Sequence, residues 1–519
     1  MIAPVAVAKS IRSATVSNSE TGKGLSNRAR LRTKPAQATT DKHKFTQIEI
    51  NSQSVFIRVH LWSELSFSKF RERLQDFLMR WLLNTVYLLL LTVLSPFIAW
   101  RIVRHGRYRR GIAEKLLGRL PQSDDGRDVV WFHAVSVGEV IQLQKVVHEF
   151  RRQTNDRFRV LVSTSTDTGF DLAQKRFPDC QVTWFPLDFS WAVSNAVRFV
   201  QPRMVVLMEL ELWPNFLGEC HRQQIPVSVI NARMSERSHR GYARIRSLMA
   251  PLFGRLALVA AQSQANADRL QLLGVSHDRL HVTGSIKFDG VATDRRNPAT
   301  ADLRRLFDLS HTETVFMAGS TQEPEERLAL QTWLECRKVC RSLRLILVPR
   351  HRERFNDVAR LVHDAGADLV RRSSLETSKR PTSDAVILLD TIGELSACWG
   401  LADIALVGGS FGKRGGQNMI EPAAFGAAVL FGPNTWNFRD VVQTFKEANA
   451  CVQLDSPEQL TPVVARLLTN PTERQSLGDA ALRAVKSQSG ATTTTATLLV
   501  EILESQPANL AIRKSQKAA

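Results

Sequence analysis

From about residue 126 onward, short apolar runs alternate with amphipathic, helix-length stretches. VVWFHA, FRVLVST, VTWFP, MVVLME, PVSVI, LALVAAQ and LHVTG read as strands, separated by segments such as Glu139 to Arg152 that suit helices. This is the βαβ pattern of a parallel sheet. It breaks into a polar linker around Asp289 to Thr300 and restarts with TVFMAGS, LRLILVP, AVILLD, IALVGG and AVLFGP. The expected architecture is α/β, with two doubly wound domains facing each other and a ligand in the cleft at the strand C-termini.

Ahead of this pattern, Trp81 to Trp100 carries no charge over 20 residues, enough helix to match the hydrocarbon thickness of a bilayer. Trp81, Tyr87 and Trp100 suit interfaces, while Asn84 and Pro96 fit a membrane helix poorly, so a buried or interfacial helix is the alternative. Arg101, Arg104, Arg107, Arg109 and Arg110 come at once after it, which by the positive-inside rule places the bulk of the protein in the cytoplasm, against an anionic leaflet. Basic residues also precede the segment, favouring anchoring over full spanning. Residues 1 to 76, rich in Ser, Thr, Lys and Arg, read as a disordered basic extension without the apolar core of a secretory signal. Met79 is a second candidate start, and a basic tail is expected from about residue 506.

A chain of 519 residues is too long for one ordinary core and suits two large domains. Its net charge of +19 points to an anionic partner: nucleic acid, an anionic membrane or a phosphorylated substrate. The six cysteines, at 180, 220, 336, 340, 398 and 451, lack metal-ligand spacing, so neither a structural zinc nor a disulfide framework is expected.

Candidate chemistry gathers at the strand ends. Gly408 to Gly432, GGSFGKRGGQNMIEPAAFGAAVLFG, reads as strand end, Gly-rich turn and helix N-terminus, with Pro422 in the first helical turn. Such a turn lets N–H groups approach a phosphate, and Lys413 and Arg414 add positive charge; a tight crossover loop is the bland alternative. Ser136 and Glu139 have the spacing of a capping box, with Glu139 also a candidate general base. A helix N-terminus weakens a carboxylate as a base unless burial offsets the dipole. Glu209 and Glu211 fall after another strand, where two carboxylates repel unless a basic or hydroxylic group is near. Lys287 sits just before the linker, in reach of either domain, or simply solvated. In the second half, Ser320 and Glu323 repeat the capping spacing. Arg350 and His351 come directly after a strand, with arginine suited to a nucleotide phosphate, and Gly393 and Glu394 stand at one more strand end. Together these placements indicate a nucleotide-dependent cleft.

HAVSVGE, ELELWPN, GSIKFD, PRHRERF, DTIGEL, GGQNMIEPAAFG and FGPNTWNF occur in this order. From about Leu78 to Gly490 the chain resembles the 3-deoxy-D-manno-octulosonic acid (Kdo) transferases of lipid A biosynthesis. The resemblance implies a GT-B glycosyltransferase of two Rossmann-like domains: residues 106–290 for the acceptor and 291–490 for the nucleotide sugar. Residues 1–76 are then the extension, 77–105 the apolar anchor helix and basic flank, and 491–519 the end of the C-terminal helix and the tail. It further implies metal-independent, inverting transfer from CMP-Kdo to the acylated, phosphorylated lipid A precursor, on the cytoplasmic side of the bacterial inner membrane, with no cofactor and no nucleic acid. Glu139 would be the general base, with Glu209 and Lys287 stabilising the transition state. Pro349, Arg350, the turn Ile392, Gly393 and Glu394, and Asn418, Met419, Ile420 and Glu421 would contact CMP. The sequence departs from the family pattern at Leu210 for Thr, Ser285 for Asn, Arg352 for Pro and Gln417 for His. The competing readings are a GT-B enzyme using another sugar nucleotide and a non-catalytic, membrane-tethered polyanion binder. The latter leaves the carboxylates at successive strand ends unexplained.

Overall fold

The computed structural model describes residues 79–97, 99–101, 103–104, 110–120, 125–375 and 382–505. The expected extension over residues 1 to 76 and the tail from 506 lie outside them.

The first sheet has seven strands: β1 (Val129–His133), β2 (Arg159–Thr164), β3 (Gln181–Trp184), β4 (Met204–Met208), β5 (Val227–Ala232), β6 (Leu258–Ala261) and β7 (Leu280–Val282). They run in spatial order β3-β2-β1-β4-β5-β6-β7, every pairing parallel. The second sheet has seven more: β8 (Thr314–Thr321), β9 (Leu343–Pro349), β10 (Leu369–Arg371), β11 (Val386–Leu388), β12 (Ile404–Val407), β13 (Ala428–Phe431) and β14 (Val452–Gln453). Their order is β10-β11-β9-β8-β12-β13-β14, again all parallel. Central strands such as β1, β4 and β9 are buried along their whole length, which is why they read as continuous apolar runs. β10 and β14 escape that reading because they are only three and two residues long and half-buried at the sheet edges.

Each sheet has one switch point, where successive strands leave in opposite directions: between β1 and β4 in the first, and between β8 and β12 in the second. Parallel sheets open their ligand crevices at the strand C-termini there. The result is a two-domain α/β architecture of GT-B type.

The linker expected around Asp289 to Thr300 is tied down. Arg295 donates to the Phe425 and Ala402 carbonyls, both at 2.6 Å, and Asn297 caps the helix Pro298–Leu306. Asp289 is buried and accepts the N–H groups of Gly490 and Thr492, both at 2.6 Å. Those residues open the helix Ala491–Glu504, which returns to the first domain. Its Ala491, Ala496, Leu499 and Leu503 complete a core with Val140, Leu143, Val147 and Phe150 of the helix Val137–Thr154. Fully burying each of the two leucines is worth about 1.5–3 kcal/mol. Both crossings between the domains therefore meet at one carboxylate.

The apolar helix runs Met79–Phe97 and leaves Leu88, Leu89, Leu90, Val93 and Phe97 exposed. Its first turns are docked. Asn84, the misfit polar residue of the sequence, is buried and bonds Ser190 through both its side-chain nitrogen and its oxygen, at 2.7 and 3.1 Å. Tyr87 donates to Asp188 at 3.1 Å, and Arg80 pairs with Glu219. Asp188 also accepts the first N–H groups of the helix Pro214–Arg222, and its complete burial lifts its pKa to about 7.

Candidate functional site

At the first switch point, Glu139 lies just past β1 and Glu209 just past β4. Ser136 caps the helix Val137–Thr154, accepting the Glu139 N–H at 3.3 Å. In return the Glu139 carboxylate accepts from the Ser136 hydroxyl and the Val135 N–H, both at 2.8 Å. The capping box is therefore real. Burial nevertheless raises the Glu139 pKa, outweighing these hydrogen bonds, and the Glu209 charge adds to the rise. The same side chain is thus both a cap and a strengthened base, because burial offsets the helix terminus.

Glu209 has φ of 52°, a left-handed conformation that costs a non-glycine residue energy, and its N–H is held by the Ile230 carbonyl at 2.9 Å. Glu211 lies close enough to Glu139 and Glu209 to feel both charges; burial first, then that repulsion, pushes its pKa up to about 7. The basic partners that such a cluster needs are Lys287 and Arg233. Lys287 sits in the turn Ile286–Phe288, where burial lowers its pKa and the Arg233 charge adds to the effect, against the attraction of Glu209 and Asp440.

Two residues in this constellation give almost no signal in the sequence. Asn231, wholly buried at the end of β5 with φ of 53°, donates to Gln142 of the Glu139 helix at 2.9 Å and accepts from Ile286 N–H at 3.2 Å. It links the elements carrying Glu139 and Lys287, and an asparagine closing an apolar run is its only mark in the sequence. Arg233 pairs across the cleft with Asp440 of the second domain at 2.6 Å. A pair separated by 207 residues leaves no local signal. A second cross-cleft neighbour is Lys145, which feels the Glu421 charge and donates to the Asp289 carbonyl.

In the second domain, β11, β9, β8 and β12 are consecutive neighbours, so their C-terminal loops line one edge. Pro349 ends β9 buried, and Arg350 comes next, exposed, its N–H on the Thr321 carbonyl at 3.0 Å. After β11, Ile392 is exposed, Gly393 has φ of 99°, and Glu394 accepts from Arg372 at 2.8 Å. After β12, Asn418 donates to Glu421 at 2.8 Å and accepts Ile420 N–H at 3.1 Å. Met419 and Ile420 turn their side chains into the domain core. Gly415 needs its φ of +83°, and a Cβ there would lie 2.3 Å from the Trp436 indole. FGPNTWNF acts as a brace for this loop: Asn434 donates to Gly412 O at 3.0 Å and Asn437 to Arg414 O at 2.6 Å.

Two expectations for this edge are corrected. Ser320 does not cap: it lies in β8 with φ of 56°, and the helix starts at Glu325. The first half of the Gly-rich turn is also already filled. The carboxylate of Glu325 accepts the N–H groups of Gly409, Ser410 and Phe411 at 2.7, 2.8 and 3.1 Å, and of Gln322 at 2.9 Å. Among the described residues no group of three His, Cys, Asp or Glu side chains could hold a metal ion.

Residues 106–290 match the family model described as 3-Deoxy-D-manno-octulosonic-acid transferase (kdotransferase). The chain is 32% identical over 424 residues to 3-deoxy-D-manno-octulosonic acid transferase of Haemophilus influenzae, covering 80% of this chain and 98% of that one. It is also 32% identical over 372 residues to the Bordetella pertussis enzyme of the same name, covering 70% and 85%. Among solved structures, the C-terminal CMP-Kdo binding domain of WaaA from Acinetobacter baumannii is 29% identical, covering 36% of this chain and 95% of that one, with a TM-score of 0.33.

Proposed function

The chain belongs to the Kdo transferase family, and from that premise we propose that it transfers Kdo from CMP-Kdo to the acylated, phosphorylated glucosamine disaccharide precursor of lipid A. The observation that carries this reading is the meeting of Glu139, Glu209, Arg233 and Lys287 at the first switch point, within electrostatic reach of one another and facing the second domain through Asp440.

Glu139 takes the proton of the acceptor hydroxyl while that oxygen forms its bond to the anomeric carbon of Kdo. The bond from that carbon to the CMP phosphate oxygen breaks on the opposite face, its electron pair leaving with CMP, and the configuration inverts. Lys287, kept beside Glu209, and Arg350, exposed at the end of β9, supply positive charge for the departing phosphate. The turn Ile392 to Glu394 and the segment Asn418 to Glu421 hold the cytidine and phosphate. Metal is not needed for this assignment of roles. The exposed apolar helix and the arginines after it hold the cleft against an anionic membrane surface, on the cytoplasmic side of the inner membrane.

The test is to incubate the detergent-solubilised protein with CMP-Kdo and a tetra-acylated lipid A precursor and to weigh the product. A gain of one or more Kdo units is expected. No gain from folded protein, with transfer from another sugar nucleotide, would replace CMP-Kdo by that donor.

A further inference from the structure

The Gly-rich turn after β12 has a form that normally receives phosphate: consecutive N–H groups converging on one point at a strand C-terminus, beside the sheet switch point. Here Gly409, Ser410 and Phe411 converge, but on a carboxylate of the chain itself. Glu325 is 1% exposed, opens the helix Glu325–Arg337, and accepts two N–H bonds on each oxygen once Gln322 is included. The surroundings are built around it. A Cβ at Gly408 would lie 2.5 Å from the Ser320 carbonyl and 2.8 Å from Glu325 itself, so glycine lets β8 and the turn close on the carboxylate. Ser410 then locks the turn, donating to Val407 O at 2.8 Å and accepting Gly432 N–H at 2.9 Å.

We infer that Glu325 is a specificity-determining residue: its carboxylate fills the seat of a second phosphate, so the cleft takes a nucleoside monophosphate sugar and rejects a nucleoside diphosphate sugar. The inference rests on the CMP-Kdo reading and gives it a physical cause. A single phosphate is served by Arg350 and by the loop from Gly415 to Glu421. A second one, carried towards the β8–β12 switch point, would meet a negative charge and find its N–H donors already engaged. The N–H groups of Gly409, Ser410 and Phe411 also stay satisfied when the donor departs. Glu325 touches neither sugar nor phosphate in this arrangement; it acts through the turn that it fills.

The experiment compares CMP with CDP, which differ by one phosphate, in binding to the full chain and to Glu325→Gln by calorimetry, alongside transfer from CMP-Kdo by the wild type. The expected result is that the wild type binds CMP about tenfold or more tighter than CDP, the scale of one like-charge contact near a protein surface. In the Gln variant the gap closes through tighter CDP binding, with CMP affinity little changed, a ratio that general loosening of the loop would not produce. Wild-type protein that binds CDP as tightly as CMP overturns the inference even if the variant fails to fold, and so does a folded variant with an unchanged ratio. Transfer from CMP-Kdo together with equal CDP binding sinks this inference and leaves the donor assignment standing. Failure of transfer with Glu325-dependent rejection of CDP does the reverse.

Discussion

Replacing Glu139 by Gln separates the two duties of that side chain. As a cap it accepts from Val135 N–H and Ser136 O–H, both at 2.8 Å. A glutamine oxygen keeps one of these bonds and turns an NH2 group towards the other donor, at a cost of about 1–3 kcal/mol in a buried site. For a domain of this size each kcal/mol lowers Tm by about 2–4 °C. As a base the residue is lost outright, which costs roughly 10²–10⁴ in rate, or about 3–5 kcal/mol of barrier. Ser136→Ala is the complementary change. It removes the cap, worth about 1 kcal/mol, and also the hydroxyl that holds the Glu139 pKa down. A base must be ionised to act, so the acidic limb of the rate profile moves to higher pH while the plateau rate stays within a few-fold. The assay is initial rate against pH with saturating CMP-Kdo, with CMP affinity by calorimetry and thermal melting on the same preparations. Glu139→Gln retaining more than about a tenth of wild-type turnover, against the expected scale of general-base loss, would refute the base assignment. Loss of CMP binding and fold together would leave only the cap.

Glu211 titrates near 7 when folded and lower when unfolded, so its ionised form penalises the native state increasingly as pH rises through that range. Glu211→Gln should therefore raise Tm more at pH 8 than at pH 5, and an equal effect at both would remove the raised pKa that burial and the neighbouring carboxylates are held to cause. Gly415→Ala forces a side chain into a φ of +83° against Trp436, and CMP affinity should fall by about tenfold or more as that loop shifts. Asn84→Leu leaves the Ser190 N–H without its acceptor, which should destabilise the docked helix by about 1–3 kcal/mol, read as a lower Tm in detergent. An unchanged melting temperature would mean that the polar dock contributes nothing.

The strands with long, fully buried runs are legible in the sequence because burial on both faces leaves no polar alternation to confuse them. Glu139, Glu209 and Arg350 are legible for a related reason: each stands past the C-terminal end of such a run, where a parallel sheet opens its crevice, whereas Lys287 follows the short, half-exposed strand β7. Residues whose roles depend on packing between distant segments escape. Glu325 reads as one of two acidic residues in a helix's first turn, and only the approach of a loop 84 residues away gives it a partner. Arg233 and Asp440 meet only because the domains face each other. Asn84 reads as a flaw in a membrane helix until its partners at Ser190 are seen.

The return of the helix Ala491–Glu504 to the first domain sets a timetable for synthesis. The apolar helix and the seven strands of the first sheet leave the ribosome early, but the face of the helix Val137–Thr154 that Leu499 and Leu503 cover is not closed until about 200 residues later. At translation rates of about 5–20 residues per second that interval is roughly ten to forty seconds. Throughout it a half-finished domain waits with greasy surface uncovered. A folding helper that shields the Val140–Phe150 face during those seconds would raise the yield of active enzyme, and the final helix supplied late as a separate peptide would be expected to rescue a chain stopped at Gly490.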